Sequence, residues 1–135
     1  MHESAWACPA PNDLPNRRPV WEALSEMFLD TDVSALREWR VGVLVASPYS
    51  VEELESILAD EVFPVCKYNL VAAVGAWEGI DQAWLEEQIL RRLRSPLRAL
   101  RVLSLNRLLA PRMEEWRETK LAVAAARNEG RDTVA

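Results

Sequence analysis

Apolar residues recur every three or four positions along most of this chain, and prolines and capping residues divide the pattern into short stretches. That spacing predicts helices. The segment RRPVWEALSEMFLD starts the first, with Pro19 near its opening turn and Trp21, Leu24 and Phe28 as the buried stripe. DTDVS turns the chain, Asp32 or Ser34 can cap a second helix, and Leu36, Trp39, Val43 and Leu44 are its expected core face. This helix should stop before Ser47-Pro48, because a residue preceding proline avoids the α region.

Ser50-Val-Glu-Glu53 is a capping box, and Leu54, Ile57 and Leu58 follow as an apolar stripe. Pro64 lacks the N–H that a continuing helix needs, which predicts an end near Glu61 or Val62. A fourth helix is then expected to carry Phe63, Cys66, Leu70, Ala73, Val74 and Trp77 on one face and to break at Gly79. Asp81 is a good N-cap for QAWLEEQILRRL, whose core face is Trp84, Leu85, Ile89 and Leu93. Ser95-Pro96 opens a leucine-rich sixth helix, and Pro111 restarts the chain into a seventh, RMEEWRETKLAVAAARN. No strong strand pattern and no repeat of 20–50 residues is present. The expectation is an all-α, compact single-domain bundle of six or seven short helices. It should occupy residues 17–128, between a mobile arm at 1–16 and a frayed tail at 129–135.

Composition adds little until charge is divided along the chain. Residues 1–90 hold sixteen acids and five bases, a net of −11, whereas residues 91–135 hold five acids and eleven bases, a net of +6. Either the two parts attract one another inside one fold, or one face is held out for a partner of opposite sign. The N-terminal stretch has no basic region followed by an apolar one, so no secretory signal is expected. No apolar run is long enough to span a bilayer. Cys8 and Cys66 form no C-x-x-C pattern, which suits a reducing compartment, and the expected location is the cytoplasm.

The side chains for catalysis are sparse. The single histidine, His2, lies in the expected arm, and neither a glycine-rich phosphate loop nor G-x-S-x-G occurs. Cys66 falls within an apolar stripe and reads as a small buried hydrophobe. No enzyme activity, cofactor or metal is expected. Two binding readings remain. Glu52, Glu55, Asp60, Glu61 and Glu78 could form an acidic surface for a basic protein. The alternative is a regulatory or adaptor protein contacting nucleic acid through the 91–101 segment, with Arg91, Arg92, Arg94, Arg98 and Arg101 on phosphates. An acidic pI near 5.0 and helix-spaced carboxylates at Glu86 and Glu87 weigh against the second.

Three segments, RRPVWEALSEMFLDTD, SPYSVEELESILADEVFPVCKYNLV and WEGIDQAWLEEQIL, resemble a family of small uncharacterised bacterial all-helical proteins across about residues 17–93. The resemblance implies no catalytic residue. In size, charge and origin such proteins are similar to immunity proteins, which bind and occlude the catalytic domain of a cognate toxin. A protein partner, a basic toxin domain in the most concrete case, is therefore the leading expectation.

Overall fold

A computed structural model of the chain describes residues 10–28, 33–67, 74–75, 79–95 and 106–134. The fold is all-α, as the 3.6-residue periodicity predicts. Helix α1 is Leu14–Ser25, α2 is Arg37–Ala46, α3 is Val51–Ile57, α4 is Gln82–Leu93, α5 is Asn106–Leu109 and α6 is Glu114–Val134. Single 3₁₀ turns flank them at Ala10–Asn12, Glu26–Phe28, Val33–Leu36 and Ala110–Arg112. The core joins Val20, Trp21 and Leu24 of α1, Leu44 of α2, Leu54 and Ile57 of α3, Leu85 and Ile89 of α4, and Trp116 and Val123 of α6.

Local signals set several boundaries as expected. Ser50 accepts the Glu53 N–H at 3.0 Å, and Glu53 returns a carboxylate to the Ser50 N–H at 2.8 Å. Asp81 caps α4 by accepting from the N–H groups of Ala83 and Trp84. Ser47 is extended immediately before Pro48 and ends α2. Ser50→Ala removes the side-chain half of the capping box and is expected to cost about 1 kcal/mol in a urea titration. A loss below the error of the titration would mean that α3 is held by packing alone.

Other boundaries differ from the sequence pattern. Helix α1 begins at Leu14, inside the stretch read as an arm. Pro15 occupies its first turn and Pro19 lies inside it. At the other end, α6 continues through Val134, so residues 129–134 extend the helix where fraying was expected.

Pro64 does not terminate the third helix. Leu58–Val62 forms a π turn, with Phe63 N–H donating to Leu58 O five residues back, and helical geometry continues over 63–67. The widened turn accommodates a residue that lacks an N–H and whose ring would crowd the carbonyl four residues behind. Phe63 and Cys66 are buried there, and Phe63 meets Phe28 edge-on at 5.8 Å between ring centroids. Val74, expected on the same helix, is instead in a two-rung antiparallel ribbon, Val74–Gly75 against Gly79–Ile80. Its β-branched side chain suits extended backbone better than helix. Leu70, Ala73 and Trp77 lie outside the described residues.

Helices α2 and α6 lie side by side and run in the same direction. Arg37 reaches Glu115, Arg40 reaches both Glu115 and Thr119, and Arg127 reaches the end of α2. Its Nη2 lies 2.9, 3.4 and 3.2 Å from the carbonyl oxygens of Leu44, Val45 and Ser47 at the C-terminal end of α2, where Leu44 O also accepts from the Ser47 N–H and hydroxyl.

Candidate protein-docking face

The rotation of α2 about its axis separates this structure from its hydrophobic pattern. Trp39 and Val43 were expected to share the core face with Leu44. Leu44 is fully buried, but its companion is Arg40, at 0% exposure, while Trp39 stands 43% exposed. The expectation for Trp39 is therefore corrected by about one residue of helical phase. A partly hydrated indole is costly to leave in water. With roughly 150–250 Å² of burial available to such a side chain, this exposure forgoes on the order of 2 kcal/mol.

What holds Arg40 inside is a set of charge-assisted hydrogen bonds. Arg40 Nη1 donates to Glu115 Oε2 at 2.8 Å and to Thr119 Oγ1 at 3.1 Å. Arg37 donates to the same carboxylate in bidentate fashion, at 2.7 and 2.9 Å. These arginines hold the Glu115 carboxyl below the ordinary range, the Arg37 hydrogen bonds being the strongest cause. Burial pulls the Arg40 guanidinium down, against the opposing pull of Glu115. The clamp acts through Arg40 Nη1, while the buried Nε makes no hydrogen bond, and the indole beside it is left partly in solvent.

The exposed residues of α2 and α6 include both acids and apolar points, with Arg117 among them. Glu38 is exposed next to Trp39, and Glu114, Glu118 and Leu121 are exposed on the neighbouring α6, Leu121 at 67%. Of the tryptophans described, Trp21 and Trp116 are buried, Trp84 is half-buried, and Trp39 alone is exposed. An exposed indole with a carboxylate next to it in sequence can bury itself in an apolar pocket of a partner while the acid pairs with a cation.

The acids singled out in the sequence have other occupations. Glu61 is buried in the π turn, where it accepts from Arg17 Nε and Nη2 at 3.1 and 2.9 Å and from Trp21 Nε1 at 2.8 Å. Tyr49 completes that cluster by donating to Asp13, with Arg17 Nη1 3.3 Å from its oxygen. Burial is the largest influence on the Tyr49 hydroxyl, which is pushed up to about 12. Asp60 forms a bidentate pair with Arg107 at 3.0 and 2.6 Å. Glu55 accepts from Trp116 Nε1 and Lys120 Nζ, both at 2.9 Å. Glu52 is exposed, and Glu78 lies outside the described residues. Glu55, Asp60 and Glu61 thus spend their charge joining helices, and the structure does not gather them with Glu52 into one open face.

The arginine-rich segment is also partly engaged. Arg91 lies 3.5 Å from Glu87 on the exposed side of α4, and exposed Arg94 ends that helix. Arg98 and Arg101 lie outside the described residues. A cleft of about 260 Å³ opens between α1 and α4, floored by Trp21 and bridged at its rim by the Arg18–Glu86 pair at 2.7 and 3.1 Å.

Among the described residues, no three His, Cys, Asp or Glu side chains are grouped to hold a metal. Cys66 is buried as expected, and desolvation pushes its thiol up to about 12. No helix among the described residues is long and apolar enough to cross a membrane.

A family model described as "Domain of unknown function (DUF7079)" matches residues 15–126, and the chain belongs to that family. The match extends the resemblance seen over 17–93 through α5 and most of α6. No curated protein and no solved structure matches the chain.

Proposed function

We propose that this member of the DUF7079 family is a non-enzymatic protein-binding protein, and specifically an immunity protein that neutralises a cognate toxin by docking over its catalytic domain. The observation that carries the reading is the exposed Trp39, kept outside by a fold that buries an arginine in its place. Supporting it are the exposed carboxylates of Glu38, Glu114 and Glu118 and the net charge of −5, which complement a basic cleft and favour rapid encounter. In this mechanism Trp39 enters the partner's cleft and is desolvated, and exposed acids such as the adjacent Glu38 fix orientation. Occlusion needs no chemistry from the chain itself.

The test is co-expression with each neighbouring reading frame of the source genome. One neighbour is expected to arrest growth alone and to be neutralised, and co-purified, by this chain. Trp39→Ala should weaken capture by about 2 kcal/mol, or roughly 30-fold, while leaving thermal unfolding unchanged. Absence of any toxic neighbour removes the immunity reading. Undiminished capture by the Trp39→Ala chain removes this face from it.

A further inference from the structure

This inference rests on the docking reading and concerns how the docking residue is presented. We infer that Arg40 and Glu115 are positioning residues for the docking face: their ion pair fixes the roll of α2 and thereby holds Trp39 in solvent.

The sequence of α2 accommodates two rolls that differ by one residue, or about 100° of rotation. One would turn Leu36, Trp39 and Val43 inward. The other, the one adopted, turns Arg40 and Leu44 inward and leaves Leu36 and Val43 only partly covered. Apolar burial favours the first roll, because it would dry the indole and leave both guanidinium groups in water. The adopted roll takes on the desolvation of Arg40 instead.

Its hydrogen-bonded compensation comes from α6, and Glu26, in the turn after α1, adds a further favourable charge. Glu115 receives three donors, two from Arg37 and one from Arg40, and Thr119 receives a fourth bond from Arg40. These bonds require positions 37 and 40 to face α6 together. A further polar tie between the helices, from Arg127, engages backbone carbonyls at the end of α2. Leu44 and Val45 are in the last turn of α2 and Ser47 is extended beyond it, so that tie grips the end of the helix, away from Trp39 and Arg40. The clamp, together with the burial of Leu44, therefore sets the roll where Trp39 sits.

The experiment is acrylamide quenching of intrinsic fluorescence in the full chain. Each variant is paired with a counterpart also carrying Trp39→Phe, so that the difference within a pair reports Trp39 alone. Arg40→Met combined with Glu115→Met removes the ion pair without stranding either charge, a replacement that stable folds tolerate. The expected result is native-like circular dichroism with loss of the quenchable Trp39 component. Glu115→Gln, which keeps the side-chain size and one acceptor oxygen, should give a partial loss and serves if the double variant does not fold. Trp39 remaining as quenchable as in the unmodified chain, in a folded variant, overturns the inference. The docking reading fails separately: a Trp39 that turns inward with capture of the partner unaffected would leave the positioning role standing and remove the docking role.

Discussion

Arg17→Met is expected to lower the unfolding free energy by about 3–5 kcal/mol, the usual consequence of leaving one member of a buried ion pair without the other. Arg17 is 3% exposed and Glu61 7% exposed, and two hydrogen bonds join them across 44 positions of sequence. Removing the guanidinium strands a carboxylate whose remaining donor is the Trp21 indole, and it also deprives the Tyr49–Asp13 pair of its cation. Glu61 is only 7% exposed, so little water can replace the lost guanidinium. Arg17→Met combined with Glu61→Met leaves no stranded charge and should recover more than half of the loss. The Trp21 N–H, left without its acceptor, keeps the recovery incomplete. Urea titrations of the three chains decide the point. A single variant within 0.5 kcal/mol of the unmodified chain, on the order of a surface substitution, would show that the cluster contributes little to stability.

The second large effect is expected at Trp116. The side chain is fully buried where α6 meets α3, and its indole N–H donates to Glu55, which also receives Lys120. Trp116→Ala removes the largest side chain at that contact and leaves a cavity that helices pinned at both ends close poorly. The expected cost is about 3–5 kcal/mol. Trp116→Phe keeps most of the volume but removes the donor, and should cost about 1–2 kcal/mol, separating the hydrogen bond from the packing. The denaturation midpoint provides the measure. Equal costs for the two variants would mean that the bond to Glu55, not the buried volume, holds α6 to the bundle.

These residues also show why some of the fold was legible and some was not. Helix starts and stops were readable wherever the signal lies within four residues of the boundary, as at Ser50 and Glu53, at Asp81, and at Ser47-Pro48. The burial of Trp21, Leu24, Leu54, Leu85 and Ile89 was readable because each apolar stripe had no competitor. The roll of α2 was not. Its determinant, Glu115, is 75 positions from Arg40, and no local pattern shows that a buried arginine will find a carboxylate there. The same holds for the proposed acidic surface. Charge counting finds Glu55, Asp60 and Glu61 but not Lys120, Arg107 and Arg17, the distant cations that occupy them. Pro64 misled because proline usually ends a helix, and the π turn that spares this one needs an extra residue in the turn just before it. Trp39 was hidden for the opposite reason: it is apolar, so periodicity assigns it to a core that it enters only in part.

The parallel course of α2 and α6 carries an electrostatic consequence. Neighbouring helices that run oppositely cancel one another's macrodipoles, whereas these two add. Their positive ends meet where Arg37 reaches Glu115, beside Glu38 and Glu114 in the two first turns. Part of the negative charge on the docking face therefore answers the fold's own field before any partner arrives. An incoming cation must compete with two helix ends for those carboxylates, so binding should vary less with ionic strength than the number of acids implies. Encounter is steered by what remains of the field, and the lifetime of the complex is set by how well the partner dries the indole of Trp39.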